Sequence, residues 1–162
     1  MRRNSLALCI AAIALGTTVP AYAADPHSRG VHPNAAQPAQ DRLSLDQGRK
    51  WPTDEALRRN MEEIRAALAQ RRNEILGDWL TPEQERALAG TIENRVAAIV
   101  ADCKLEPRAD ANLHFIVADL VQAADILQGK ASGPRRNGAT LAVRATQMYA
   151  TYFDHPGWRR VF

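Results

Sequence analysis

The chain has 162 residues, with 21 Lys and Arg against 18 Asp and Glu, 46% hydrophobic residues, 6% aromatic residues and two cysteines. That length suits one domain and leaves little room for two. The apolar and charged fractions are those of an ordinary globular protein and exclude both a disordered polyampholyte and a disulfide scaffold. A net charge of +3 is a weak pointer to a polyanionic partner.

Residues 1–23 carry a basic start (Arg2, Arg3), an uncharged apolar stretch from Leu6 to Gly16, and the small-x-small pattern Ala21-Tyr22-Ala23. This predicts a cleaved Sec-type signal peptide and a periplasmic mature protein beginning at Ala24. The apolar stretch is well short of the ~20 residues that span a bilayer, and no later stretch comes close, so the mature form is expected to have no membrane span. Removing the leader takes away two Arg and no acid. It leaves 139 residues, 19 basic against 18 acidic, and one cysteine, Cys103. The pointer to nucleic acid disappears with the leader, and so does an intramolecular disulfide.

Residues 24–50 mix Pro, Gly, Gln, Ala and Ser without apolar periodicity and predict a flexible tail. Leu43 and Leu45 are the positions in it able to pack against a domain. His27 and His32 stand in this tail and read as solvated rather than as metal ligands. The domain is expected over 51–162.

From Trp51 the period is helical. Thr53 with Asp54 and Glu55 suits a helix start, and Leu57, Met61, Ile64, Leu68 and Ile75 form a seam that ends at Gly77 and Asp78. Thr81-Pro82-Glu83-Gln84 reads as an N-cap, a proline at the first helical position and a capping-box Gln. The second helix carries Leu88, Ile92, Val96, Ile99 and Cys103 inward and stops at Leu105-Glu106-Pro107. The third spans about Arg108 to Gln128, with Leu113, Val117, Leu120, Ala124 and Leu127 inward. After the turn at 129–134, the fourth starts near Pro134, carries Leu141, Ala145, Met148 and Tyr152, and stops at Asp154-His155-Pro156-Gly157-Trp158. No period-two strand is visible. The prediction is an all-α fold, an up-down-up-down antiparallel four-helix bundle.

In such a bundle Met61, Cys103, His114, Met148 and His155 all fall within roughly 10 Å of one end at 1.5 Å rise per residue. A thiolate, two thioethers and imidazoles suit a soft ion such as Cu(I), and Met with His suits haem iron less directly. Each residue also has a plain structural reading: a gap-filling core Met, a buried Cys acting as a small hydrophobe, and His114 paired with Asp110 one turn earlier. A lone thiol also admits redox sensing or a disulfide between two copies. There is no Cys-x-x-Cys-His for covalent haem. A phosphate loop, Gly-x-Ser-x-Gly and His-Glu-x-x-His are also missing, so no enzyme is expected. Two functions stand: a periplasmic soft-metal binder at those five residues, or a structural, interaction or stress module without a ligand, with a protein partner or a weak homodimer.

Ala56 to Leu68, ALRRNMEEIRAAL, resembles the opening helix of the cytochrome b562 family, periplasmic four-helix bundles with a haem-ligating Met on that helix, at the place of Met61. The family's second ligand, a His late in the fourth helix after an Ala-Tyr pair, has no counterpart at Met148-Tyr149-Ala150. Over Leu43 to Trp158 the chain resembles small exported proteobacterial proteins labelled DnrO-like. The likeness rests on Trp51-Pro52-Thr53-Asp54, Cys103-Lys104-Leu105, Asp110 to His114 and Tyr152 to Trp158. That resemblance implies an exported helical protein and names no reaction.

Overall fold

Helix signals in this chain are mostly local, and the folded protein uses them where they stand. The structure, a computed structural model, describes residues 42–162. The expected leader (1–23) and the tail up to residue 41 lie outside the described residues.

Helix α1 (Glu55–Gln70) is capped by Asp54, whose side chain accepts the Leu57 N–H at 2.7 Å. Its inward stripe is Leu57, Asn60, Met61, Ile64 and Leu68, the 3–4 spacing of one helix face. Arg71 leaves helical geometry, so the expected single first helix is two: a short α2 (Arg72–Gly77) follows and ends at Asp78 in the left-handed region, φ 58°. Ile75, placed on the seam by sequence, is therefore only half-buried. Helix α3 (Pro82–Asp102) opens with the capping box: the Thr81 hydroxyl accepts the Gln84 N–H, and the Gln84 side chain accepts the Thr81 N–H. It buries Leu88, Ala89, Ile92, Val96 and Ile99. Helix α4 (Pro107–Gln128) starts on a Glu106 cap and stops at Gly129, φ 73°, a conformation glycine adopts at little steric cost. Helix α5 spans Arg136–Tyr152.

Among the described residues there is no strand, only two isolated bridges, Asp46 with Arg49 and Trp51 with Phe153. The class is all-α. Helix α4 packs against α3 and α5, α1 packs against α3 and more sparsely against α5, and α2 touches α5. No described helix is long and apolar enough to cross a membrane.

Two expectations change. Helix α5 turns Gly138, Ala139, Ala142, Val143, Ala145, Thr146 and Tyr149 inward, while Leu141, Met148 and Tyr152 lie at the flanks, half-buried. Small residues decide this: a Cβ at Gly138 would sit 2.6 Å from the Ala123 carbonyl oxygen, so α5 lies almost backbone-to-backbone on α4. The tail expected to be flexible through residue 50 is instead docked from Arg42. Leu43 is buried, the Ser44 N–H donates to Asn112 Oδ1 at 2.8 Å, and the Trp51 indole N–H donates to the Ser44 carbonyl at 2.6 Å. Leu45 stays exposed. Arg42 stacks on Phe115 and Arg108 on Trp51, with guanidinium carbons 4.5 and 5.2 Å from the ring centres.

Candidate functional site at one end of the helices

The start of α1, the turn between α3 and α4, and the end of α5 meet at one end. Asp54 makes the first join. One carboxylate oxygen caps α1; the other accepts the Lys104 N–H at 2.6 Å, fifty residues along the chain. The Cys103 thiol donates to the same carboxylate. Burial pushes Asp54 up, but the hydrogen bonds from Lys104, Leu57 and Cys103 outweigh it, and its pKa ends below the ordinary carboxylate value. On Cys103, burial and the neighbouring Asp54 charge act together and push the thiol up to about 12. At neutral pH it is a protonated hydrogen-bond donor, not a thiolate.

The second join is aromatic. Tyr149 is fully buried, and its hydroxyl lies 2.9 Å from His155 Nδ1. Its ring is stacked on Phe153, with centroids 5.5 Å apart, and takes Trp158 edge-on at 4.8 Å. Burial raises the Tyr149 pKa and lowers that of His155. Glu62 and Asp154 pull His155 back up, and Arg58 pushes it further down. The backbone closes the joint: the Trp51 N–H donates to the Tyr152 carbonyl and the Asp154 N–H to the Trp51 carbonyl, both at 2.8 Å.

The five residues predicted as metal ligands fall into different settings. Cys103 and His114 line one pocket of about 180 Å³ between α3 and α4, together with Asp110 and the apolar Ile99, Val100, Leu113 and Val117. His114 is exposed, and its Nδ1 stands 2.8 Å from the Asp110 carbonyl and 3.4 Å from its carboxylate. Met61 is wholly inside the core and Met148 half-buried against it. His155 lines a different pocket, beyond the end of α5. Among the described residues, no group of three or more His, Cys, Asp or Glu side chains is placed to hold a metal ion.

Sequence reasoning missed Asp54 and Tyr149 as the organisers of this end. Asp54 read as an acidic first-turn residue, a common helix feature. Its long-range partner carries no local mark. For Tyr149, the pairing of a tyrosine with a histidine six residues on, across a helix stop, was the available signal. No protein-family model matches the chain, and no curated protein and no solved structure matches it either.

Proposed function

We propose that the chain is an exported helical bundle of up-down-up-down topology that works as a non-enzymatic interaction module without a resident metal or haem. The observation that carries this reading is that the candidate ligands already have partners: Cys103 donates to Asp54, His155 bonds Tyr149, His114 bonds Asp110, and Met61 is core. The topology is supported by short connections and by neighbour packing that runs α1–α3–α4–α5 and returns to α1. Export to the periplasm is supported by the pattern of residues 1–23 and by the resemblance to the exported DnrO-like proteins. Exposed Leu76 and Trp79, three residues apart at the end of α2, fit a protein that meets partners. Metal analysis of protein purified from the periplasm, followed by anaerobic Cu(I) titration, tests it. The expected result is no stoichiometric copper, with Cys103→Ala and His114→Ala leaving stability little changed.

A second reading places a soft ion at Cys103 and His114 alone. It is favoured by their shared pocket and by the low coordination numbers that Cu(I) accepts with thiolate and imidazole donors. About one equivalent of Cu(I), lost in Cys103→Ser, establishes this reading and overturns the first.

A further inference from the structure

Several cations elsewhere are matched, although Arg58, Arg72 and Arg86 on the helices have no carboxylate within 4 Å among the described residues. Arg65, Arg71, Arg95, Lys130, Arg135 and Arg136 each stand within 4 Å of a carboxylate. The cleft beyond the end of α5 gathers two unmatched cations, Lys50 and Arg160, on one wall. It measures about 470 Å³ and is lined by Lys50, Thr151, Asp154, His155, Trp158 and Arg160 among others. That size falls within the usual range for a small-molecule site.

The docked N-terminal segment brings Lys50 here, and its ammonium donates to the Ala150 carbonyl at 2.7 Å. One of its three donors is thereby fixed and two remain. Neither Lys50 nor exposed Arg160 has a carboxylate within 4 Å among the described residues, and Asp154 is the single acid on the wall. The cleft thus carries a net positive charge. It has seven unengaged cationic N–H donors, two on Lys50 and five on Arg160. Half-buried Trp158 supplies an apolar surface whose ring is held by Tyr149 and His155.

We propose that this cleft binds a small organic anion, its carboxylate or phosphate held by Lys50 and Arg160 and its flat or apolar body laid against Trp158. Charge-assisted hydrogen bonds position the head group, and burial of the apolar body supplies affinity that a bare inorganic ion lacks. The proposal stands whether or not the Cys103–His114 pocket takes a metal.

The test is a ¹⁵N NMR titration of the mature protein with phenylacetate, phenyl phosphate, acetate, inorganic phosphate and benzyl alcohol. Saturable shifts are expected at Lys50, Thr151, Gly157 and the Trp158 indole N–H for phenylacetate, phenyl phosphate or both. The tighter of the two names the head group. Acetate, inorganic phosphate and benzyl alcohol should bind at least about tenfold more weakly. Lys50→Ala and Arg160→Ala should each weaken binding about tenfold, the loss of one charge-assisted contact. Both sites are exposed, so the melting temperature should hold, and Arg86→Ala on α3 should leave affinity unchanged. Shifts equal for all five compounds, shifts away from this cleft, or affinity unaltered in the Lys50→Ala/Arg160→Ala double variant would overturn the proposal.

Discussion

Replacing glycine by alanine at two positions of this protein should move stability in opposite directions, and the reason is geometric. Gly90 lies inside α3 and Gly138 in the first turn of α5. Helix propensity alone favours alanine by about 1 kcal/mol at Gly90 and by at most about that at Gly138. At Gly90 a Cβ would meet nothing within 4 Å, so that gain should appear nearly whole. At Gly138 the Cβ would lie 2.6 Å from the Ala123 carbonyl oxygen and 2.9 Å from the Leu127 backbone nitrogen, with Leu127 Cγ at 2.8 Å. Two of those three atoms are backbone and cannot rotate aside. Reaching an ordinary contact of 3.4 Å requires α5 to draw back by about 0.8 Å. Overpacking on that scale costs about 1–3 kcal/mol, and at a backbone contact the upper half of the range applies. Net of propensity, Gly138→Ala should destabilise by about 1–2 kcal/mol, while Gly90→Ala stabilises by about 0.5–1 kcal/mol. Urea unfolding followed by circular dichroism at 222 nm reads both, with the slope unchanged if the native packing is otherwise intact. In thermal melts the two variants should separate by roughly 5–10 °C for a domain of this size. A Gly138→Ala protein as stable as the parent would refute the close α4–α5 approach.

Three further outcomes follow from the joined end. Asp54→Ala removes a cap and the tether to Lys104 together and should cost about 1–2 kcal/mol. Because the folded carboxyl titrates below its ordinary 3.8, the parent should hold this stability above pH 4 and lose it as pH falls further, and the variant should show a flatter acid limb in pH-dependent urea melts. His155 has the reverse dependence: its folded pKa lies below 6.5, so the unfolded chain takes up a proton first and stability should fall as pH drops below 6.5. In His155→Gln that slope between pH 6.5 and 5 should vanish, and a slope unchanged from the parent would refute the assignment. Cys103, pushed to about 12, should react with iodoacetamide at pH 8 at least about tenfold more slowly than a free thiol. Denaturant should restore the ordinary rate, and fast alkylation of the native protein would show a thiolate.

What was legible in the sequence was what short-range chemistry decides. Thr81 and Gln84 satisfy each other three residues apart, so the start of α3 is written locally. On α1 and α3 the aliphatic side chains at 3–4 spacing are also the buried ones. Helix α5 misled because its interface is made by the smallest residues. Hydrophobicity ranks Leu141 and Met148 above Gly138 and Ala142, so the stripe points one position away from the face that close approach selects. The joined end was half legible. The turn between α3 and α4 leaves Cys103 and His114 lining one pocket, while the role of Asp54 depends on a backbone amide fifty residues away that no spacing announces. The docking of residues 42–50 was hidden likewise, since Ser44 and Asn112 are 68 residues apart.

The bridge between Trp51 and Phe153 has a consequence for the order of events when the protein is made. Residues 51 and 153 stand at opposite ends of the helical segment, yet they pair and both are buried. A chain delivered from its N-terminus can form α1 and α3 early, but the Trp51 backbone lacks its partners at Tyr152 and Asp154 until α5 has emerged. Closing a loop of that length early gains no contacts to offset its entropy. The joint between Trp51 and the Tyr152–Asp154 segment therefore closes only when the last part of the domain is present.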